Sequence, residues 1–285
     1  MSAKAAILVI GDEILKGETK DTNSAYACKK FYKIGVEVCK ISVIRDDVND
    51  ISLEVSTLSK QYDIVITCGG IGPTHDDITY VGVANAFHDV IELNLEFSKI
   101  IRKLFPNSCA GQNSALKMAM IPKSSQLVYI LPKDKKSVLF PIVRVANVYI
   151  LPGIPKYFEL SFDYLLTTFK NVNRTVFKMN LRLSKEEVEI LEFLNRTVDE
   201  FKSSVVIGCY PGEHTRIRFE SSDLELLICA YKFFLSLLPK IFLDDGLREE
   251  DAEDVFDLAG GAESLAVRLS QSLAVSFMGG MHVTS

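Results

Sequence analysis

The sequence predicts a doubly wound α/β domain with a mostly parallel sheet, followed by a small α+β module. Short apolar runs of strand length alternate with amphipathic segments of helical period over the first 170 residues. Glycine-rich turns join several of these runs to the helices that follow them. Beyond residue 170 the order changes to strand, helix, strand, strand, helix, which is typical of an α+β unit.

The first elements form a βαβαβ series. Residues 5–10 are continuously apolar and end at Gly11, which predicts a central strand covered on both faces. A helix is predicted over 23–34, with Gly35 as its left-handed stop. The series continues with a strand at 36–44, a helix at 49–59 and a strand at 63–67. Right-handed crossovers between these strands would give a doubly wound sheet.

The rest of the first domain alternates less regularly. Its predicted elements are helices at 78–87 and 94–105, a short helix with polar side chains at 111–118, strands at 127–130 and 143–151, and a helix after Pro155. The tight turn at 151–155, with the sequence LPGIP, opens that last helix.

The loop at 67–79, with the sequence TCGGIGPTHDDIT, lies between a predicted buried strand and a predicted helix. Gly69, Gly70 and Gly72 would let backbone N–H groups and the positive end of the helix dipole converge on one point. This arrangement favours a phosphate site.

Asp76 and Asp77 change the chemistry expected at this loop. Two carboxylates repel a bound phosphate unless a divalent cation lies between them and the phosphate oxygens. The loop therefore favours a metal-assisted site for a nucleotide-like phosphate ester. The loop sequence by itself supports a second interpretation equally well. In that interpretation one aspartate caps the helix and the glycines form an ordinary tight turn.

Polar residues also follow the first strand. The segment 11–23 contains Asp12, Glu13, Asp21 and Asn23, and ligands of open parallel sheets bind beyond the carboxyl ends of strands. We expect this segment to share one crevice with the 67–79 loop, with the turn around Gly153 as a third wall or only a capped turn.

The composition is that of a globular chain long enough for one large or two modest domains. It has 285 residues, 48% hydrophobic and 24% charged, and a net charge of −5. That acidity argues against nucleic-acid and membrane-surface partners, and no apolar run reaches membrane length. Without a signal peptide or paired cysteines, we expect a cytoplasmic protein with reduced thiols. Cys68, inside the glycine loop, is the one candidate for a functional thiol.

The second module spans 172–243, and two short segments follow it. Within the module His214 and Arg216 are the only chemical candidates, and exposed loop residues are the favoured interpretation of both. Residues 244–262 predict a solvated linker, because their first part, residues 244–257, is rich in Asp and Glu. Residues 263–285 predict a helix and the start of a further strand.

The three loops of the first domain appear in an order that resembles the MoaB/Mog (molybdopterin-binding-like) domain. They are GDEIL with DTN, then GGIGPTHDDIT, then LPGIP. The GGxGPTxDDxT form resembles the CinA-type branch, and most of all the N-terminal half of eukaryotic FAD synthases. The 172–243 module is similar to the small KH-like domain of that branch.

The last residues resemble the PP-loop that opens the second half of FAD synthases, of the form SFNGGKDxT. Here the sequence is SFMGGMHVT, so Met281 and His282 replace the lysine and the aspartate. Methionine cannot contact a phosphate as lysine does, and neutral histidine is a poor replacement for a carboxylate on Mg²⁺. We expect FMN adenylylation to be lost from this truncated, degenerate segment.

The resemblance implies a divalent-metal-dependent hydrolysis of FAD to FMN and AMP, or of a related ADP-ribose-type substrate. The metal would be Mg²⁺, Mn²⁺ or Co²⁺. Asp76, Asp77 and Asp12 would hold it, and Asp76, Asp77 and Glu13 would be the catalytic group. The substrate would contact Gly69, Gly70, Gly72, Thr74, Thr79, Asn23 and Gly153.

Two other functions stay open. One is adenylyl transfer to molybdopterin, which would use the same phosphate cradle and metal. The other is a folded but non-catalytic domain that regulates a partner, consistent with the altered PP-loop. Domains that resemble this one are often dimers or trimers, so a homo-oligomer is a further expectation.

Overall fold

A computed structural model describes residues 3–108, 115–130, 140–169, 176–239 and 242. The chain divides into two compact units, 1–172 and 173–285. The segments 244–262 and 263–285, with the altered PP-loop, lie outside the described residues.

The first unit alternates strands and helices, as the periodicity predicts. Its strands are β1 (Lys4–Ile10), β2 (Glu37–Ile44), β3 (Ile64–Cys68), β4 (Ile91–Leu93), β5 (Met120–Pro122), β6 (Gln126–Val128), β7 (Ile142–Val145) and β8 (Val148–Leu151). Its helices are α1 (Asp12–Leu15), α2 (Asn23–Lys33), α3 (Val48–Gln61), α4 (Thr79–Ala86), α5 (Leu95–Leu104) and α6 (Pro155–Thr168).

The main sheet has six strands in the order β2-β1-β3-β8-β7-β6. The first four are parallel to one another, and β7 and β6 are antiparallel to their neighbours. The predicted mostly parallel α/β fold is therefore confirmed. The strands β4 and β5 form a separate antiparallel pair.

The structure corrects two of the predicted elements. The single strand expected at 143–151 is a hairpin, because Ala146 takes a positive φ of 51° and reverses the chain between β7 and β8. The short helix expected at 111–118 is a 3₁₀ helix over Ala115–Ala119, and residues 111–114 lie outside the described part.

Side chains of β1 alternate between two buried cores. Ala6, Leu8 and Ile10 belong to the core that includes residues of α3, α4 and α5. Ala5, Ile7 and Val9 belong to the opposite core, with residues of α2 and α6. Because both faces are covered, the strand is apolar throughout, and this explains the unbroken run in the sequence.

The second unit is built on a three-stranded antiparallel sheet. Its elements are β9 (Phe177–Leu183), α7 (Glu187–Phe201), β10 (Val206–Tyr210), β11 (Thr215–Ser221) and α8 (Leu224–Leu237), with the strand order β10-β11-β9. The core is formed by one face of this sheet with α7 and α8, and includes Leu181, Ile190, Ile217, Phe219 and Phe234.

Candidate functional site

Loops that follow three parallel strands meet at the carboxyl edge of the first unit's sheet. The N–H of Gly69, after β3, donates to the carbonyl of Leu151 at the end of β8 (3.2 Å). The amide Nδ2 of Asn23, at the start of α2, donates to the carbonyl of Gly153 (2.7 Å). The fold thus brings together the three loops that carry the sequence motifs, as expected for a ligand crevice in an open α/β sheet.

Two glycines of the central loop occupy positions where a side chain would be strained and would displace a neighbour. Gly69 has a φ of +107°, and a Cβ there would lie 2.2 Å from the carbonyl oxygen of Ile10. Gly70 has a φ of +63°, and its Cβ would lie 2.3 Å from Oγ1 of Thr79. The loop backbone is therefore pressed against the end of β1 and the start of α4.

Thr79 fixes this loop from the first turn of α4. Its side chain is fully buried, and its hydroxyl donates to the carbonyl of Gly69 (2.9 Å). Its backbone N–H donates to the carbonyl of Gly70 (3.0 Å). Thr79, which the sequence analysis expects to contact the substrate, therefore holds the glycine loop in place through these two hydrogen bonds.

The two aspartates of the motif do not cap the helix. The N-cap of α4 is Ile78, which makes no side-chain capping bond. Instead, the hydroxyl of Thr74 lies 2.5 Å from Oδ1 of Asp76 and 2.6 Å from Oδ2 of Asp77. The capping alternative is wrong for this loop, because both carboxylates are turned back toward Thr74.

Hydrogen bonds order this acidic turn although it is exposed. The backbone N–H of Thr74 donates to Oδ2 of Asp77 (2.8 Å), and Nζ of Lys117 donates to the carbonyl of Thr74. The Thr74 hydroxyl lowers the pKa of Asp76. A Cβ on Gly72 would lie 2.6 Å from Oδ2 of Asp77, so the glycine leaves room for that carboxylate.

A second acidic group lies at the ends of β1 and β2. The N–H of Asp12 donates to Oδ2 of Asp46 (2.9 Å), and Oδ1 of Asp12 accepts from the N–H of Asp46 (3.4 Å). Glu13 is exposed, and its carboxylate lies over Gly11. Asp46 is a site residue that the sequence does not predict, since it lies between the strand predicted at 36–44 and the helix predicted at 49–59 and belongs to none of the three motifs.

Asp46 links this group electrostatically to the glycine loop. Burial, followed by the charges of Glu13, Asp12 and Asp76, raises its pKa even though the Asp12 N–H opposes the shift. One carboxylate oxygen would lie 3.6 Å from a Cβ on Gly70. Nothing in the local sequence indicates this proximity, because it depends on β2 lying beside β1.

Asn23 and Cys68 are buried beneath the crevice. Nδ2 of Asn23 also donates to Sγ of Cys68 (3.0 Å), while its Oδ1 is buried without a hydrogen-bond partner among the described residues. Burial raises the pKa of Cys68 to about 12. A thiol so far from ionisation is unsuited to nucleophilic work near neutral pH. Asp21 accepts from the N–H of Ser24 (3.0 Å) and so orders the first turn of α2.

The donor set of the site suits a hard cation held jointly with a ligand. In the described part of the chain, no three side chains of His, Cys, Asp or Glu are arranged to hold a metal by themselves. Mg²⁺ is commonly bound through one or two carboxylates plus phosphates of the substrate. The adjacent carboxylates of Asp76 and Asp77 fit that mode of binding.

The second unit contains the two remaining residues that the sequence singles out as chemical candidates, His214 and Arg216. His214 is exposed, with its Nδ1 3.5 Å from the hydroxyl of Ser184. Arg216 lies over the ring of Tyr210, with the guanidinium carbon 5.1 Å from the ring centroid.

Of the helices that the structure describes, none has the length and apolarity that a membrane crossing needs.

Fold and site together define an α/β domain with a glycine-rich loop at the carboxyl edge of its sheet. Residues 6–171 match the family described as "Probable molybdopterin binding domain". The chain belongs to that family, as the three motifs predict. Residues 175–245 match "FAD synthase, middle domain", so the resemblance to the FAD synthase branch is also confirmed.

Individual relatives agree with this assignment. The chain is 42% identical over 226 residues to a "Probable FAD synthase" of Caenorhabditis elegans, covering 73% of this chain and 43% of that one. It is 35% identical over 235 residues to a protein of Archaeoglobus fulgidus, covering 81% and 96%. The chain thus spans less than half the length of the FAD synthase relative.

A solved structure supports the fold of the first unit. The CinA protein of Thermoplasma acidophilum, titled as having unknown function, aligns with a TM-score of 0.51 and 29% sequence identity. It covers 60% of this chain and 99% of its own. The likeness therefore extends over a region about the size of the first unit.

Proposed function

We propose that the first unit hydrolyses the pyrophosphate of a dinucleotide with the help of a divalent metal, converting FAD to FMN and AMP or cleaving an ADP-ribose-type substrate. The observation that carries the proposal is the adjacency of two features. A glycine loop with tightly fixed backbone leads directly into a turn where Asp76 and Asp77 share the hydroxyl of Thr74. The first feature suits phosphate oxygens and the second suits a cation bound to them.

In this proposal the glycine loop holds the pyrophosphate. Gly69, Gly70 and Gly72 allow the backbone to approach the phosphates closely, because no side chain stands in the way. Thr79 keeps the loop in that conformation through its bonds to the Gly69 and Gly70 carbonyls. No reorganisation of the loop is then needed when the substrate binds.

Asp76 and Asp77 would hold the metal, with Asp12 as a further carboxylate. When bound, a divalent ion neutralises phosphate charge and lowers the pKa of a coordinated water. The single hydroxyl hydrogen of Thr74 cannot satisfy both neighbouring carboxylate oxygens, so the pair retains strong capacity to accept a cation.

Glu13 would accept the proton of the attacking water. Its carboxylate is exposed and has no hydrogen bond or ion pair within the part of the chain that the structure describes. The water oxygen forms a bond to one phosphorus, and the bridging oxygen leaves with the other phosphate. The products, FMN and AMP, together contain the atoms of FAD and one water.

Buried Asn23 would orient the substrate beside Gly153.

The test is incubation of the purified chain with FAD and with ADP-ribose, with and without Mg²⁺, Mn²⁺ or Co²⁺, scoring FMN and AMP by chromatography. We expect metal-dependent AMP release that falls on the order of 100-fold or more in Asp76→Asn/Asp77→Asn. Asp63→Asn, just before β3 and so at the opposite edge of the sheet from the loop that follows β3, removes a carboxylate outside the site and should leave the rate unchanged. Absence of AMP release from both substrates with every metal would refute the proposal.

The family match favours one second candidate, adenylyl transfer to a pterin. The product separates the two, since the transferase attaches AMP to molybdopterin and the hydrolase releases it. A third arm with FMN and ATP tests FAD formation, which the altered PP-loop predicts to be absent. A chain that shows no turnover and no thermal shift with metal and nucleotide would be a non-catalytic domain.

A further inference from the structure

The acidic turn of the candidate site receives a lysine from a distant part of the chain. Lys117 lies in the 3₁₀ helix at Ala115–Ala119 and belongs to none of the three sequence motifs. Its ammonium Nζ donates to the carbonyl of Thr74, 43 residues earlier in the chain. The hydroxyl of the same Thr74 is the one that Asp76 and Asp77 share. The fold therefore places a cation beside the two carboxylates that are proposed to hold the metal.

The position of Lys117 is fixed by the residues on either side of it. Ala115, Met118 and Ala119 are buried in the core that includes residues of α3, α4 and α5. The carbonyl of Ala119 also accepts from the backbone N–H of Asn94 (2.9 Å). Lys117 itself is half-buried. The backbone of the 3₁₀ helix is thus held in place, and a change of acceptor requires only the lysine side chain to move.

The contact with Thr74 does not neutralise Lys117. A carbonyl is an uncharged acceptor, and this bond uses one of the three N–H donors of the ammonium. The charge also acts on the acidic turn: the Thr74 hydroxyl is the main cause that lowers the pKa of Asp76, and the charges of His75 and Lys117 add to that effect. A positive charge beside Asp76 opposes the approach of a second cation.

Two other cations near the site interact with a different carboxylate. Nζ of Lys16 lies 3.4 Å from one oxygen of Asp12, and Nε of Arg45 lies 3.9 Å from the other. Both of these side chains are more than half exposed, at 58% and 70%. Lys117 differs from them because it reaches the turn that carries Asp76.

The Thr74 carbonyl is close to the loop that is proposed to hold the phosphates. Thr74 follows Gly72 by two residues, and two residues span at most ~7 Å of chain. A phosphate oxygen is a stronger acceptor for an ammonium than a neutral carbonyl, because the bond is then assisted by charge on both partners. A nucleotide at the glycine loop therefore offers Lys117 a better partner than the one it has.

We propose that Lys117 is a phosphate-binding residue of this site, and that it makes the binding of the metal depend on the nucleotide. Without a nucleotide, its charge lies beside Asp76 and repels a divalent ion. With a nucleotide bound, the ammonium exchanges the Thr74 carbonyl for a phosphate oxygen, so the carboxylates become free for the ion. This role rests on the proposed function, which assigns the phosphates to the glycine loop and the metal to the aspartates.

The test compares two affinities in the wild-type chain and in Lys117→Met. One is the Kd of Mn²⁺ alone, from electron paramagnetic resonance. The other is the Kd of adenosine 5′-(α,β-methylene)diphosphate in excess Mn²⁺, from calorimetry, since the P–C–P bridge of this analogue is not hydrolysed. We expect Lys117→Met to bind Mn²⁺ alone about threefold more tightly, because a repelling charge is gone. It should bind the analogue on the order of tenfold more weakly, because a charge-assisted hydrogen bond is lost.

Two variants serve as controls. Lys117→Arg keeps the charge and should stay within about threefold of the wild type for both probes. Lys60→Met removes an exposed charge from the last turn of α3, which ends just before β3 and so at the opposite edge of the sheet, and should change neither affinity.

The opposite signs of the two effects separate this role from a structural one. Weaker binding of both probes by Lys117→Met would indicate that the lysine only supports the fold, and would overturn the proposal. An unchanged affinity for the analogue, or no binding of it by the wild type, would also overturn it. A wild type that binds the analogue with the expected dependence on Lys117, but releases no AMP from FAD or ADP-ribose, would refute the hydrolase alone.

Discussion

The two halves of the central loop differ sharply in how the fold constrains them. In the glycine half (residues 69–72), positive φ angles and contacts with Ile10 and Thr79 fix the backbone. In the acidic half (residues 74–77), Asp76 keeps 63% of its side chain exposed, and its partners among the described residues, Thr74 and His75, belong to the same turn. The comparison indicates that the fold fixes the conformation of the glycine loop, whereas the Asp76 carboxylate is left exposed to solvent.

The strongest test of this difference is Gly69→Ala. Its Cβ would overlap the backbone carbonyl of Ile10, which cannot move without disturbing β1, so we expect a loss of roughly 3 kcal/mol or more in unfolding free energy. Gly17→Ala is the matched control, since Gly17 also has a positive φ but open space around it, and should cost only about 1 to 2 kcal/mol. Urea denaturation of both variants measures the difference. Equal losses would mean that contact with Ile10 does not fix the glycine half.

A smaller effect is expected from Thr79→Val. This near-isosteric change removes the hydroxyl that donates to the Gly69 carbonyl in a fully buried place, which should cost about 1 to 3 kcal/mol. Thr57→Val, which removes a hydroxyl that donates to the exposed Leu53 carbonyl, is the control and should be close to neutral. Calorimetric melting compares the two. If Thr79→Val were as mild as the control, Thr79 would not be holding the loop.

Substitutions in the acidic half should affect ligand binding and leave the stability of the fold unchanged. Asp76→Asn/Asp77→Asn should leave the urea midpoint near the wild-type value, because neither carboxylate supports the core or caps α4. The same variant should lose the thermal stabilisation that metal plus nucleotide gives to the wild type. A large fall in the urea midpoint without ligand would show that the acidic pair is structural.

The smallest effect concerns ionisation within the acidic half. Thr74→Val removes the main cause of the lowered pKa of Asp76, so that pKa should rise toward its ordinary value of 3.8. Folding favours the ionised form of a group with a lowered pKa, so this contribution is present above the ordinary pKa and is lost as the pH falls through the folded value. Carboxyl ¹³C NMR titration of both proteins measures the shift. An unchanged Asp76 pKa would show that the Thr74 hydroxyl is not its cause.

Local sequence patterns predicted much of the fold, because they depend on local properties such as the burial of a strand and the backbone conformation of a glycine. The unbroken apolar run at 5–10 predicted a strand buried on both faces, and β1 lies between two cores. Gly35, predicted as a left-handed stop, has a φ of +77° just after α2. The hairpin at Ala146 escaped prediction because no glycine or proline interrupts the apolar run around it, and a positive φ at alanine has no sequence signature.

For the site, the sequence by itself determined which loops carry the chemistry and to which family the chain belongs. Motif residues lie at the ends of parallel strands, and such ends share one edge of a sheet. Only the tertiary structure decided what each side chain does there. It turned Thr79 inward to the Gly69 carbonyl, turned Asp76 and Asp77 toward Thr74, and brought Asp46 beside Asp12. Spacing along the chain fixes which residues lie near a turn, but hydrogen-bond partners depend on which strands become neighbours.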